Sequence, residues 1–270
     1  MPTLRPIASE PIAIRRALEE GWAGFSRHAW VLMGFTVLLG GLNLLSWLAY
    51  RSSGGLLERG LPQASTPALL LAGASLAAYL LSGFWLLTGL IRGAERALDG
   101  QHPSIRHVLR IDGRSMARLA WSQLLLLLLL ALTLQAGEAS SWVMALLLPR
   151  LTLLPTLAAW GVVIYVLVDQ VLLLPITVLA NQAGLRAFRS GRRATDPHWL
   201  QAAGLLLVVS LILLAGFLLL VGLAVALPFA LCTLVAAYRQ LFVLPAPTAP
   251  GPPMPESCAA QETGWPGSNA

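Results

Sequence analysis

Residues 199–238 read WLQAAGLLLVVSLILLAGFLLLVGLAVALPFALCTLVAAY, a run with no charged side chain. Such a stretch cannot face water. As one helix it would measure about 60 Å, twice the ~30 Å of a bilayer's hydrocarbon layer. Two helices folded back on each other use that length, and Gly216 and Gly222 are the expected turn. Pro228 then falls inside the second helix of the pair, where a proline bends a helix without breaking a membrane span.

The same texture recurs upstream. Apolar spans are expected at 30–50, at 68–91, from Met116 to about Gln135, and at 152–179. With the final pair this makes six. Between 135 and 152 the chain reads as a loop around Glu138, Ser140, Ser141 and Arg150, in which residues 142–148 are too short to cross and could dip back into the membrane. The whole 270-residue chain is 57% hydrophobic and 11% charged, against about 25% charged in soluble domains. The fold class is therefore all-α, a polytopic membrane protein of six transmembrane helices in three hairpins. Residues 1–29 form an amphipathic N-terminal segment, 30–243 the membrane domain, and 244–270 a Pro-rich tail expected to be disordered. Nothing at the N-terminus has the layout of a cleaved signal, so the first span reads as a retained anchor.

Every basic residue is arginine, 18 in all. Segments 1–29, 92–118, 181–198 and 239 onward carry fifteen of them; the opposite loops carry Arg51, Arg59 and Arg150. The positive-inside rule puts the rich side, and both termini, in the cytoplasm. The arginines flank apolar spans instead of forming one patch, which favours anionic headgroups over nucleic acid. Arg92, Arg96, Arg106, Arg110, Arg186, Arg189, Arg192 and Arg193 are the candidate contacts to lipid or to a protein partner. Self-association is compatible with the same pattern.

Ahead of the first span, Ile14, Ala17, Leu18, Gly21, Trp22 and Phe25 recur at steps of three and four, with Arg15, Arg16, Glu19 and Glu20 opposite. That is an amphipathic helix suited to the headgroup layer, Trp22 and Phe25 inward, with Ser9 as N-cap and Pro11 just inside. IRRALEEG at 14–21 has a counterpart in LRAFRSGR at 185–192. His28 and Trp30 close the first unit, as His198 and Trp199 close the second. LIRGAERALDG at 90–100 offers a third. Three parallel units are expected, each an interfacial helix followed by a membrane hairpin.

Gly184-Leu-Arg-Ala-Phe-Arg-Ser, then His198-Trp199, the charge-free hairpin, and Pro228 followed by Ala237-Tyr238-Arg239-Gln240-Leu241-Phe242 together resemble uncharacterised bacterial six-helix membrane proteins. These are similar to the membrane domain attached to some glycerophosphodiester phosphodiesterases. The resemblance covers most of residues 10–242. It implies the fold and the bacterial inner membrane, but not the phosphodiesterase activity, for which the chain has no domain.

Asp169 is the acidic residue inside a span. It costs about 2.5–3.5 kcal/mol in lipid and so must face other helices or water. As part of a helix reaching Leu179 it would lie about 15 Å from the cytoplasmic end. Gln170 adjoins it, and Pro175 should loosen the helix there. Two readings stay open. One is a proton or cation site, lined also by Asn43, Gln123 or Gln135; the other is a hydrogen-bonded carboxyl that pins helices together. The histidines 28, 102, 107 and 198 lack any metal-site spacing, and no phosphate loop or HExxH motif is present. Cys232 reads as a packing residue inside a span and Cys258 as a free thiol in the tail. No cofactor, metal or enzymatic chemistry is expected. The leading expectation is a non-enzymatic protein engaging lipid or a partner, and the alternative is a transporter of small solutes or lipid using Asp169.

Overall fold

The computed structural model describes residues 12–53, 66–101, 109, 112–219 and 222–242. Among these there is no strand. The helices are α1 (Ile14–Arg27), α2 (Ala29–Ser52), α3 (Thr66–Leu98), α4 (Gly113–Leu147), α5 (Leu153–Asp169), α6 (Leu173–Leu179), α7 (Leu185–Thr195), α8 (Trp199–Leu218) and α9 (Leu223–Phe242). Single 3-10 turns, Pro149–Leu151 and Asp196–His198, lead into α5 and α8. Six stretches are long and apolar enough to cross a membrane, α5 with α6 counting as one and α7 with α8 as another. Their outer faces agree with that: Leu38, Leu45, Leu70, Leu127, Leu157 and Phe217 are 61–70% exposed, an apolar belt that water would not tolerate.

Three hairpins form, α2 with α3, α4 with α5, and α8 with α9. The long apolar run does divide near its glycines, α8 ending at Leu218 and α9 starting at Leu223. A Cβ on Gly216 would come within 2.3 Å of the Ala226 Cβ, so only glycine lets these two helices approach so closely. The core gathers at the end of the bundle opposite the hairpin turns. Leu32, Leu90, Ile91, Leu119, Leu172, Ile176, Leu205 and Val235 are fully buried there.

The third span differs from the sequence expectation. Residues 137–147 form neither a loop nor a re-entrant segment but continue α4, which is 35 residues long. Ser140 and Ser141 tolerate this because their hydroxyls donate to the carbonyls of Ala136 and Gly137, at 2.7 and 2.9 Å. Ser141 also meets the Thr156 hydroxyl at 2.7 Å, and Gly137 lets α5 approach at Ala159. At 1.5 Å per residue α4 is about 52 Å long, so it tilts or protrudes beyond the hydrocarbon.

The repeat survives in altered form. Residues 90–98 belong to α3, which runs unbroken past Arg92 to Leu98, so no separate interfacial helix begins there. The outer two units match with a shift of 170 residues, one less than the alignment of 14–21 with 185–192. Ala17, Gly21 and Gly24 are the buried face of α1, and Ala187, Gly191 and Ala194 that of α7. His28 and His198 then coincide, with φ,ψ of −133°, 26° and −130°, 36° at the two junctions into a span. The apolar face of α1 meets protein instead of headgroups. Trp22 and Phe25 both converge on Phe229 of α9, at ring separations of 5.5 and 6.2 Å, with Trp22 still half-exposed. The described part of α1 begins beyond Ser9 and Pro11; those two residues, like His102, Arg106, His107, Arg110, Cys258 and the tail from 243, lie outside the described residues.

Candidate functional site: a polar cluster where the fourth span breaks

Pro175 explains why the fourth span is two helices. It has no N–H to give residue 171, and its ring would collide with that residue's carbonyl. The chain therefore leaves helical geometry at Gln170–Leu172, held by the Val171 N–H on the Val168 carbonyl at 3.3 Å and the Leu173 N–H on the Gln170 carbonyl at 2.9 Å. Asp169 is the last residue of α5 and Gln170 its cap, and both are buried. Gln170 Nε2 donates to Asp169 Oδ2 at 2.9 Å.

Over this break lies α7. Its chain enters through Gly184, whose φ of 57° and ψ of −136° are open only to glycine. The Gly184 N–H donates to Ser122 Oγ of α4 at 2.9 Å. A Cβ on Gly191 would lie 3.3 Å from Gln170 Oε1 and 3.6 Å from the Asp169 carbonyl. Further along, Trp199 stacks on Tyr165 with ring centres 6.1 Å apart. Gly191 against Gln170 and Trp199 against Tyr165 set α7 and the start of α8 antiparallel to the end of α5. The Tyr165 hydroxyl donates to Asp196 Oδ1 at 3.4 Å, and Arg192 pairs with Asp196 at 3.5 Å.

Asp169 lies beneath a helix whose Arg186, Arg189, Arg192 and Arg193 are all exposed.

Of the polar residues singled out in the sequence, only Asp169 and Gln170 come together. Asn43 joins α2 to α3 instead, donating to the Tyr79 carbonyl at 2.7 Å and to Ser82 Oγ at 3.0 Å. Gln123 is half-buried on α4 and Gln135 is exposed; neither is among the hydrogen-bonded partners of Asp169. Tyr165, Gly191, Asp196 and Trp199 complete the cluster. Their link to Asp169 is a contact between helices, for which residue spacing along the chain carries no signal.

The arginines also divide. Arg92 is tied to Asp112 and donates to Ser115 Oγ at 2.8 Å, closing the end of α3 onto the start of α4. Arg118 bonds Ser115 Oγ at 2.8 Å and Asn181 Oδ1 at 2.6 Å. Arg239 reaches the Glu95 carbonyl at 2.9 Å and Asp99 Oδ1 at 2.5 Å. On α1, Arg15 and Arg16 pair with Glu19 and Glu20. Arg96 is half-buried, whereas the four arginines of α7 are exposed on a helix with no acidic residue of its own.

The molecule is thus an all-α, multi-pass membrane protein with a buried carboxyl–amide pair under a basic helix. No family model, no curated protein and no solved structure matches the chain.

Proposed function

We propose that this is a non-enzymatic inner-membrane protein that holds anionic lipid headgroups, or an acidic partner, on its basic end through α7. One observation carries the reading: four exposed arginines project from a helix whose other face, Ala187, Gly191, Ala194 and Thr195, is fixed against the bundle. A cationic surface on a rigid mount attracts headgroups at about 1 kcal/mol per arginine near the surface. Among the described residues elsewhere at this end, Arg15, Arg16, Arg92 and Arg239 are engaged in ion pairs, whereas Arg186, Arg189 and Arg193 of α7 are exposed on a helix with no acidic residue. Both termini on the cytoplasmic side follow from the arginine bias.

Native mass spectrometry of the protein released from nanodiscs containing phosphatidylglycerol tests it. Wild type is expected to retain anionic lipid, and R186Q/R189Q/R193Q to lose at least tenfold of that retention while Asn43 and Arg92 variants keep it. Equal retention by the triple variant overturns the proposal. A second reading, transport of a small solute or lipid, draws support from the helix break beside Asp169, since broken helices carry binding sites in many transporters. It predicts proton-coupled flux that Asp169→Asn abolishes.

A further inference from the structure

Asp169 Oδ1 and Gln170 Oε1 are buried and have no hydrogen-bond partner among the described residues. Thr195 Oγ1 and Trp199 Nε1 are also buried and without a hydrogen-bond partner among the described residues. Leaving a buried acceptor unpaired is destabilising, and more so when it is charged. Two such oxygens side by side on one hydrogen-bonded pair therefore require a missing donor. Both are closed off from solvent.

Nor does a counter-charge answer. The charged groups near Asp169 are Arg192 and Asp196, and these neutralise each other at 3.5 Å. Tyr165, on α5 itself, turns its hydroxyl to Asp196. Neither α6 nor α8 contains an ionisable residue. On α4, Arg118 is committed to Ser115 and Asn181, Arg114 sits at the helix start, and Glu138 lies toward the far end beside the Ser141–Thr156 contact. An ionised Asp169 would be an unmatched charge in a dry site, a state that buried groups relieve by taking up a proton.

We infer that Asp169 is a proton-binding site, its carboxyl holding H⁺ on Oδ1 and donating it to the amide oxygen of Gln170. Water supplies the proton to the carboxylate; the new O–H satisfies both orphan oxygens. Gln170 Nε2 continues to donate to Oδ2 at 2.9 Å. The result is a neutral acid–amide pair closed on both edges. That pair is the surface on which α7 rests, through Gly191 at Gln170 Oε1 and through the 3.5 Å bond from Gln170 Nε2 to the Phe188 carbonyl. Loss of the proton therefore frees α7. The inference holds whether or not α7 binds lipid.

The test is difference infrared spectroscopy of the full chain in lipid nanodiscs at neutral pH. A protonated carboxylic-acid band that shifts in D2O, vanishes in Asp169→Asn and changes frequency in Gln170→Leu is expected. The Asp169→Asn variant reproduces the neutral pair, its new amide donating to Gln170 Oε1, so it should fold. In parallel, hydrogen exchange of the α7 amides should rise at least tenfold in wild type across alkaline pH, beyond the intrinsic change, and stay flat in Asp169→Asn. Absence of the acid band at neutral pH overturns the proposal. So does a band seen only when sodium is withheld, which would assign the site to an alkali cation, or an α7 exchange profile identical in the two proteins.

Discussion

At the scale of single residues, Asp112 shows how much one side chain can fix. Its carboxylate accepts from the N–H groups of Arg114 and Ser115 at 3.1 and 3.4 Å, capping α4. The same group meets the Arg92 guanidinium and the Ser115 hydroxyl. Arg92 above all, with help from Ser115, holds the carboxyl well below the usual carboxylate range. A depressed acid contributes stability above its unfolded value of about 3.9 and loses it as pH falls toward the folded value. The thermal midpoint of wild type should therefore drop on acidification below about pH 4. Asp112→Asn keeps a good cap but not the ion pair, so its midpoint should start lower and fall less over the same range. The effect stays modest because the Asp112 side chain is 36% exposed. Parallel acid limbs for the two proteins would mean that Arg92 contributes nothing. Arg92 was readable in the sequence as a cytoplasmic charge, yet not as a tie to Asp112. Proximity across a turn depends on where two helices end, and no residue marks that α3 continues to Leu98.

At the scale of elements, the apolar spans were legible in the sequence, but the cluster of Glu138, Ser140 and Ser141 hid how far one of them continues. The charge-free run 199–238 exceeded a membrane's thickness, so physics alone demanded a turn, and glycines marked it. By contrast Glu138, Ser140 and Ser141 look like a loop because serine competes for backbone bonds in irregular structure. Here their hydroxyls return to the carbonyl four residues back, and the helix continues. This can be checked directly. Ser141→Cys with Thr156→Cys replaces hydroxyl oxygens 2.7 Å apart, a separation that brings the two backbones within disulfide range. Oxidation should cross-link this pair in most molecules, while Ser140→Cys with Thr156→Cys, whose first side chain is exposed, should not. A loop or re-entrant segment at 137–147 would cross-link both pairs weakly. The break at Asp169 was half legible: Pro175 announced it, but the partner Gly191 belongs to a helix that the chain brings back only after another turn.

At the scale of the whole molecule, the two outer units show how the six spans are held together. Of the two short helices, α7 covers α5 and α6, and α1 covers α9, which belongs to the final hairpin. The first helix thus closes a ring with the last, and Gln240 Oε1 accepts from the Ala13 N–H at 3.1 Å where the ends meet. Closure rests on glycine. A Cβ on Gly21 would lie 2.9 Å from the backbone N and Cα of Thr233, and backbone inside a helix has nowhere to retreat. Gly21→Ala should therefore push α1 off α9 and destabilise the protein by about 1–3 kcal/mol. Gly34 is the matched control: on α2, with nothing within 4 Å of its would-be Cβ, alanine there should change stability by no more than about 0.5–1 kcal/mol, and in the stabilising direction, through helix propensity. Thermal unfolding of both variants in the same detergent decides the matter. A lowered midpoint for Gly21→Ala alone means that α1 is a structural member of the bundle, clasping the two ends of the membrane domain. Equal midpoints would return α1 to the role its sequence first suggested, a helix lying on headgroups with no part in the core.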